Sequence, residues 1–147
     1  MKVSSKVECG ILAMLDIALY SDRNETVNVS KTAARQNISV KYLEQILPAL
    51  RQARLICSVK GPKGGYRTAK PAASITLREV IDELDVTVLG NVEFSEKDQN
   101  STLKDVVQKL LWNEMTELLQ QCAEKITLAD LMEEYQKVSE ESLMYYI

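Results

Sequence analysis

The sequence predicts a mostly α-helical protein that carries one small β-hairpin. Apolar residues recur at helical spacing over most of the 147 residues. Residues 39–67 join an amphipathic helix directly to a basic, glycine-rich hairpin, and a long apolar stripe follows residue 102. A helix followed by a cationic hairpin is the layout of a winged helix-turn-helix. We therefore expect a winged helix-turn-helix plus a long dimerisation helix.

The first three helices are predicted within residues 1–52. The first spans residues 6–20, and its apolar stripe consists of Ile11, Leu12, Leu15, Ala18 and Leu19. A short helix over 30–36 and a turn at 37–38 lead to the third helix, for which Ser39 is the expected N-cap. Two helices joined by such a short turn, the second polar on its outer face, are typical of a helix-turn-helix.

The hairpin and a fourth helix follow. Residues 55–60 alternate apolar and polar side chains as a strand does, residues 61–65 form a tight loop, and residues 66–69 return. Thr76 and Glu79 have the spacing of a capping box, which begins a helix that ends near residue 84. We assign residues 1–84 to the winged helix-turn-helix domain.

The rest of the chain is organised differently. Residues 85–101 have weak periodicity and are expected to form a loop or arm. The longest helix is predicted over 102–125, and its apolar stripe consists of Leu103, Val107, Leu111, Met115, Leu118 and Cys122. So long a stripe needs a partner, and a second copy of the chain is the simplest one. Residues 102–147 therefore form this helix, a short helix that ends near residue 135, and a tail.

Charges of opposite sign are segregated along the chain. Residues 1–80 carry 13 Lys or Arg against 6 Asp or Glu, whereas residues 81–147 carry 5 Lys, no Arg and 15 Asp or Glu. Arginine suits phosphates and base edges, so the basic half is the candidate surface for double-stranded DNA. The sequence has neither an apolar run of the roughly 20 residues that span a bilayer nor a signal peptide, so we expect a cytoplasmic protein without membrane contact.

The outer face of the third helix supplies most of the candidate DNA contacts. This polar face consists of Ser39, Lys41, Tyr42, Glu44, Gln45 and Arg51. We expect Lys41, Glu44 and Gln45 to read bases, because helix-turn-helix domains read bases near the start of this helix. Arg51 is the expected phosphate contact. The alternative is an ordinary solvated helix face, and the hairpin directly behind it favours DNA.

The hairpin supplies the other candidates, Lys60 and Lys63. Its three glycines and one proline specify a tight turn and allow the backbone to approach a phosphate closely. The two lysines place positive charge where a narrow minor groove concentrates negative potential. The alternative is a turn with solubilising lysines.

Few residues suggest other chemistry. The chain has three cysteines, Cys9, Cys57 and Cys122, and no histidine. No two cysteines are closer than 48 positions, so a CxxC metal or redox site is excluded and buried thiols are expected. The sequence contains no Ser/His/Asp set and no phosphate-binding loop. We expect no metal site and no enzymatic activity.

Several motifs together resemble the Rrf2 family of bacterial winged-helix transcription regulators. They include Tyr42-Leu-Glu-Gln45, Ser58-Val-Lys-Gly61 and Gly64-Gly-Tyr66. The resemblance implies a homodimer with the recognition helix in the major groove and the wing in the minor groove. It places DNA contacts on Ser39, Lys41, Tyr42, Glu44 and Lys60. Lys60 replaces the usual wing arginine, and Arg54 replaces a common glycine.

The resemblance also bears on cofactors. Cluster-binding members of the family place three closely spaced cysteines in the region that corresponds to residues 85–102, and this chain has none there. One carboxylate, such as Glu8, cannot hold an iron–sulfur cluster without thiolates. We therefore expect no cluster and no other cofactor.

The C-terminal tail is similar to that of family members that control cysteine metabolism. Those members dock into cysteine synthase through an aromatic–Ile ending, and this chain ends in Tyr145, Tyr146 and Ile147. A mobile end with an apolar side chain and a carboxylate suffices for such docking. The alternative is that the tail packs on its own dimer.

These observations predict a homodimeric, cluster-free transcription regulator, most simply a repressor, that controls cysteine or sulfur metabolism. One alternative is a cluster-free family member that senses a thiol oxidant or a small molecule. Another, from a different class, is a winged helix used for protein–protein assembly. A gel shift with genomic fragments separates the last alternative from the others.

Overall fold

The computed structural model describes residues 1–21, 25–92 and 101–145. The helices in these residues are α1 (Ser5–Tyr20), α2 (Val29–Gln36), α3 (Val40–Gln52), α4 (Leu77–Leu84), α5 (Thr102–Val107), α6 (Asn113–Lys125) and α7 (Leu128–Tyr145). Strands β1 (Ile56–Val59) and β2 (Gly65–Thr68) pair antiparallel. A mostly helical chain with a two-stranded hairpin confirms the predicted fold class.

The hydrophobic core lies among α1 to α4 and β1. Its largest fully buried side chains include Met14, Ile17, Leu43, Ile46, Leu47, Leu50, Ile56, Ile75 and Val80. Among the described residues beyond Leu84, only Leu89, Ala123 and Leu128 are buried apolar side chains. Leu128 joins the same core, because its N–H donates to the Ile75 carbonyl at 2.9 Å and thereby ties the start of α7 to the segment before α4.

Helix α1 buries a different face from the predicted one. The buried positions include Val7, Ala13 and Met14. Of the predicted stripe, Ala18 is buried and Leu12 is exposed, and the other three residues are half-buried. The reason is close packing against α4. A Cβ at Gly10 would collide with the Leu84 side chain, so the glycine side of the helix is the one that faces the core.

A buried carboxylate joins α1 to α2. Asp16 has no exposed side-chain surface, and Arg35 donates to both of its oxygens at 2.8 Å. Thr32 and Gln36 donate to Asp16 at 2.7 and 2.9 Å, and the Arg35 guanidinium lies 4.0 Å from the centre of the Tyr20 ring. Burial raises the pKa of Asp16, but these hydrogen bonds outweigh burial and hold the pKa below its usual value. The charged cluster therefore fixes α2 on α1.

The hairpin gains a third strand-like segment from the loop before α2. The Val27 N–H donates to the Tyr66 carbonyl at 2.7 Å, and the Tyr66 N–H donates back at 2.8 Å. A side chain at Gly65 would collide with the Val27 carbonyl, so a glycine is required for this close pairing. The sequence did not predict this third segment.

Residues 102–125 are helical as predicted, but α5 and α6 are joined by a π-helical turn over Gln108–Trp112. A π-turn inserts one residue into the helix. The predicted stripe advances by four residues three times from Leu103 to Met115, a spacing that drifts by about 40° per step in a regular α-helix. The inserted residue compensates for this drift and keeps the stripe on one face.

The prediction that the last helix ends near residue 135 is wrong, because α7 continues to Tyr145. Its second half is rich in helix-forming charged residues and has little apolar periodicity, so the pattern gave no signal there. An ion pair between Lys137 and Glu133 at 3.1 Å, one turn apart, supports the helix. None of the helices in the described ranges is long and apolar enough to cross a membrane.

Candidate nucleic-acid interface

The N-terminus of α3 is positioned by its caps. Asn37 adopts a left-handed conformation (φ 54°) and ends α2, and the Ile38 N–H donates to the Ala33 carbonyl at 3.0 Å. Ser39 is the N-cap of α3 as predicted, and its hydroxyl accepts from the Tyr42 N–H at 3.1 Å. These caps fix the turn of the helix-turn-helix, so the direction in which α3 leaves α2 is set locally.

Helix α3 separates a core face from an open face. Leu43, Ile46, Leu47 and Leu50 are buried in the core. Lys41, Glu44, Gln45 and Arg51 are exposed, and Tyr42 is half-buried against the core. The open face therefore presents two cations, one carboxylate and one amide, which are the groups that hydrogen-bond to base edges and phosphates in a major groove.

The wing is held by backbone contacts that leave its lysines free for solvent. Lys60 and Lys63 are both exposed. The Thr26 hydroxyl donates to the Lys63 carbonyl at 2.7 Å, so the loop before α2 anchors the wing tip. A Cβ at Gly64 would collide with the Val59 carbonyl, so this glycine allows the tight turn that presents the two lysines.

The link between α3 and the wing has a defined geometry. The Arg54 N–H donates to the Arg51 carbonyl at 3.0 Å, and the Leu55 N–H donates to the Leu50 carbonyl at 3.1 Å. This pair of bonds is a Schellman motif, which places a left-handed residue just beyond the helix end. Arg54 is that residue, with φ 60°. A glycine position is therefore occupied here by an exposed arginine.

The residues predicted for dimerisation form an open face on the long helix. Leu103, Leu111, Met115 and Leu118 are exposed, as is Cys122, and Val107 is half-buried. The exposed fractions of Leu103 and Leu118 are 75% and 65%. The face that points away from this stripe carries the buried Thr116 and Ala123, which pack α6 on the rest of the chain.

The predicted partner tail is described only in part. Tyr145 ends α7 and is 95% exposed, beside the exposed Met144 and Leu143. Tyr146 and Ile147 lie outside the described residues.

The three cysteines occupy three different elements. Cys9 lies on α1 and Cys57 on β1, both half-buried, whereas Cys122 is exposed, contrary to the expectation of buried thiols. Burial raises the pKa of the Cys9 thiol, and the Glu8 charge raises it further. Within the described ranges, no group of three Cys, His, Asp or Glu side chains could hold a metal ion.

Sequence reasoning missed the supports of the site. The Asp16 cluster joins α1 to α2, and the Thr26–Lys63 contact anchors the wing tip. The one sequence signal for Asp16 is a carboxylate inside an otherwise apolar stretch of α1, where a charged residue needs a partner. The partner itself lies 19 positions away and could not be read from one sequence.

Comparison with known proteins shows which proteins share this arrangement. The model of the Rrf2 family, described as iron-dependent transcriptional regulators, matches residues 3–134. The chain belongs to the Rrf2 family. Its relatives include the HTH-type transcriptional regulator IscR of Vibrio campbellii, which is 36% identical over 134 residues, 91% of this chain and 79% of that protein.

Solved structures of other family members show the same fold. CymR, the global cysteine regulator of B. subtilis, superposes with a TM-score of 0.78 at 26% identity, over 90% of this chain and 97% of that one. IscR of T. potens superposes with a TM-score of 0.73 at 30% identity, over 94% of this chain and 90% of that one. The oxidised form of Staphylococcus aureus CymR superposes with a TM-score of 0.72 at 32% identity, over 90% of this chain and 97% of that one.

Family membership establishes the general function. This Rrf2 protein is a DNA-binding transcriptional regulator, and its relatives are regulators rather than enzymes. The predicted family and the predicted DNA binding are confirmed. This result favours gene regulation over the alternative of a winged helix used only for protein assembly.

Proposed function

We propose that this Rrf2 protein acts as a homodimeric repressor that binds a pseudo-palindromic operator without an iron–sulfur cluster. The observation that carries the proposal is the presence of two exposed surfaces of different chemistry, one polar and one apolar. The candidate DNA contacts on α3 and the wing are exposed, apart from the half-buried Tyr42, and most of a long apolar stripe is exposed on α5 and α6. The first surface fits a DNA groove, and the second needs another copy to cover it.

Base reading is assigned to Lys41, Tyr42, Glu44 and Gln45, with Ser39 and Arg51 at phosphates. Lys and Gln side chains donate to purine edges, and Glu accepts from cytosine N4. Truncation of a base reader should cost about 1–3 kcal/mol on the preferred operator and relax specificity at one position. A gel-shift titration of Gln45→Ala against single-base operator variants measures both effects. Equal losses on every operator variant would contradict the assignment.

The wing lysines are assigned to the minor groove. Removal of one phosphate or groove contact should lower the slope of log K against log[salt] by about 0.9 per contact. Lys60→Ala tests this, and Lys137→Ala is its matched control, because Lys137 is an exposed lysine on α7 in the acidic half. The salt slope should fall for Lys60→Ala and stay unchanged for Lys137→Ala. An unchanged slope for both would refute the wing assignment.

Repression follows from the size of the complex. A dimer that places two recognition helices in successive major grooves covers about two turns of DNA. Operator occupancy at a promoter then excludes polymerase. Run-off transcription from an operator-containing promoter should fall as the protein is added, and a rise would identify an activator instead.

The absence of a cluster is proposed from the donor set. Cluster ligands are thiolates, and the three cysteines of this chain lie on α1, β1 and α6, with the pKa of Cys9 raised rather than lowered. The residues present do not fit the iron group that the family description implies. Anaerobically purified protein should contain no iron and no absorption band near 400 nm, and a stoichiometric iron content would contradict this proposal.

Control of cysteine metabolism is proposed from two observations. The protein superposes on the cysteine regulator CymR over most of both chains, and α7 ends in an apolar, exposed segment at Tyr145. We propose that the tail, with Tyr146 and Ile147, docks into cysteine synthase. Deletion of residues 144–147 should abolish co-purification with cysteine synthase and leave operator binding unchanged. Retained co-purification would show that the tail serves another purpose, such as packing on the dimer.

A further inference from the structure

A pocket of about 270 Å³ lies between α1, α2 and α7, away from the outer face of α3. Leu12, Leu15 and Leu19 of α1 line one side, which explains why this predicted core stripe is only partly buried. Tyr20 and Tyr135 add two aromatic rings. An apolar wall with a few polar groups is the usual composition of a small-molecule site.

The polar side of the pocket is formed by the Asp16 cluster. Asp16 accepts four hydrogen bonds, so its oxygens have no remaining acceptor capacity for a ligand. Arg35 uses Nε and Nη2 on Asp16, and its Nη1 makes no hydrogen bond to the carboxylate. The Arg35 side chain keeps 30% of its surface exposed. The pocket therefore offers donors from a fixed guanidinium and no free carboxylate.

We propose that this pocket is an effector site for a small aliphatic carboxylic acid. The apolar side chains of α1 and the Tyr135 ring would enclose the aliphatic body. The carboxylate would accept from Arg35 Nη1, since charge-assisted hydrogen bonds to guanidinium are strong and directional. A cation would find no free acceptor on Asp16 and would meet the positive charge of Arg35.

The position of the pocket gives it a regulatory consequence. Arg35 and Gln36 lie in the last turn of α2, and Asn37 and Ile38 connect that turn to α3. Tyr135 lies on α7, which follows the long helix of the acidic half. A ligand that touches both helices would fix α2 relative to α7 and so change the affinity for operator DNA. This consequence rests on the proposed repressor function, whereas ligand binding does not.

The test uses the full chain and 4-methylpentanoate as the probe. Its neutral amide, 4-methylpentanamide, and its cationic counterpart, 4-methylpentylamine, are the matched controls. At tenfold excess over Kd, the acid should raise Tm by about 4 °C. It should also shift the NMR signals of the amides in α1 and α2. The amide should bind at least tenfold more weakly, and the amine should not bind.

Two variants locate the site without disturbing the Asp16 cluster. Leu12→Trp should fill the pocket from its exposed rim, and Tyr135→Ala should remove one wall, each weakening the acid at least fivefold. Val138→Ala, an exposed position on α7 that does not line this pocket, is the control and should bind as the parent does. Equal binding of the acid and the amine would overturn the proposal. So would the absence of any shift in Tm or in the NMR signals with all three probes, which is also the result expected if a second copy of the chain fills the pocket. Binding without a change in operator affinity would overturn its regulatory part alone.

Discussion

The two halves of this Rrf2 protein differ in how far they bury their apolar side chains. The basic half, α1 to α4 with the wing, contains almost the whole buried core and joins α1 to α2 through the Asp16 cluster. The acidic half leaves a stripe on α5 and α6 exposed, together with the end of α7. Almost the whole buried core lies in the first half, with Leu128 of the second half packed into it, whereas the second half presents the exposed stripe that we propose a second copy covers.

This contrast assigns different work to the halves. The packed core of the basic half can hold α3 and the wing in a fixed geometry, which direct readout of bases requires. In our proposal the exposed stripe of the acidic half brings two such units together with a defined spacing. Substitutions can disturb each half separately, and their effect on the other half then shows whether the two are independent.

The largest expected effect comes from removal of Asp16. Asp16→Ala leaves Arg35 without its buried partner and deletes four hydrogen bonds between α1 and α2. We expect a loss of about 3 kcal/mol in the free energy of unfolding, because the charge-assisted hydrogen bonds from Arg35 are lost and the buried Thr32 hydroxyl is left without its acceptor. Urea denaturation measures it.

The matched control is Asp82→Ala. Asp82 pairs with Arg78 at 3.6 Å on the surface, with 44% of its side chain exposed. This pair should contribute less than about 1 kcal/mol. If both variants lose the same free energy, then the cluster is not what holds α2 on α1.

The next effect concerns the exposed stripe. Leu118→Glu places a charge on the proposed dimer face, and because Leu118 is exposed within its own chain, the fold of the protomer should be unaffected. We expect a monomer by sedimentation velocity and an operator affinity at least 100-fold weaker, about 2.7 kcal/mol, because each half-site then binds alone.

Asn113→Glu adds the same charge on the same helix at an exposed position outside the stripe. It should remain dimeric and bind the operator as the parent does. Dimerisation that survives Leu118→Glu would mean that the stripe is covered by something other than a second copy.

A smaller effect is expected from pH and should fall on the basic half. The pKa of Asp16 is lowered in the folded state, so its ion pair stabilises the fold fully above the unfolded pKa of about 3.9 and is lost as pH falls through the folded value. Thermal denaturation between pH 6 and pH 2 should show a steep fall in Tm below about pH 4 for the parent. Asp16→Asn should be less stable than the parent above about pH 4, and the difference should shrink as pH falls, so that its own fall in Tm is shallower. Identical slopes would exclude Asp16 as a source of the acid sensitivity.

The smallest expected effect is a gain in the free energy of unfolding. Arg54 has φ 60°, a conformation that glycine adopts without steric cost, so Arg54→Gly should raise the free energy of unfolding by about 0.5–1 kcal/mol. Arg51→Gly, inside α3, should lower it by about 1 kcal/mol. Chemical denaturation of both variants checks the opposite signs. A loss at Arg54 would show that its side chain makes contacts that outweigh the strain.

The sequence predicted the local features of the fold and of the reading surface. Ser39 as N-cap, the turn at 37–38, the capping box at Thr76 and Glu79, and the hairpin loop all depend on neighbouring residues, and the structure contains each of them. Features that depend on distant residues were missed. Arg35 meets Asp16 across 19 positions, and Val27 pairs with Tyr66 across 39 positions.

Helix length and faces were harder where apolar periodicity is weak or ambiguous. The charged second half of α7 has no apolar stripe that would predict a helix. Helix α1 has two apolar faces, and the face that carries Leu12 and Leu19 is the less buried of the two. The π-turn between α5 and α6 depends on backbone hydrogen bonds that no residue type specifies.

The central claim is that the basic half reads DNA while the acidic half pairs two copies. It is tested most directly by sedimentation velocity of the full chain with a duplex that carries an operator identified by genome-wide footprinting. We expect a dimer in free solution and a complex of two chains per duplex, with no stable one-chain complex on the full site. A monomer that saturates the operator with one chain per duplex would contradict it.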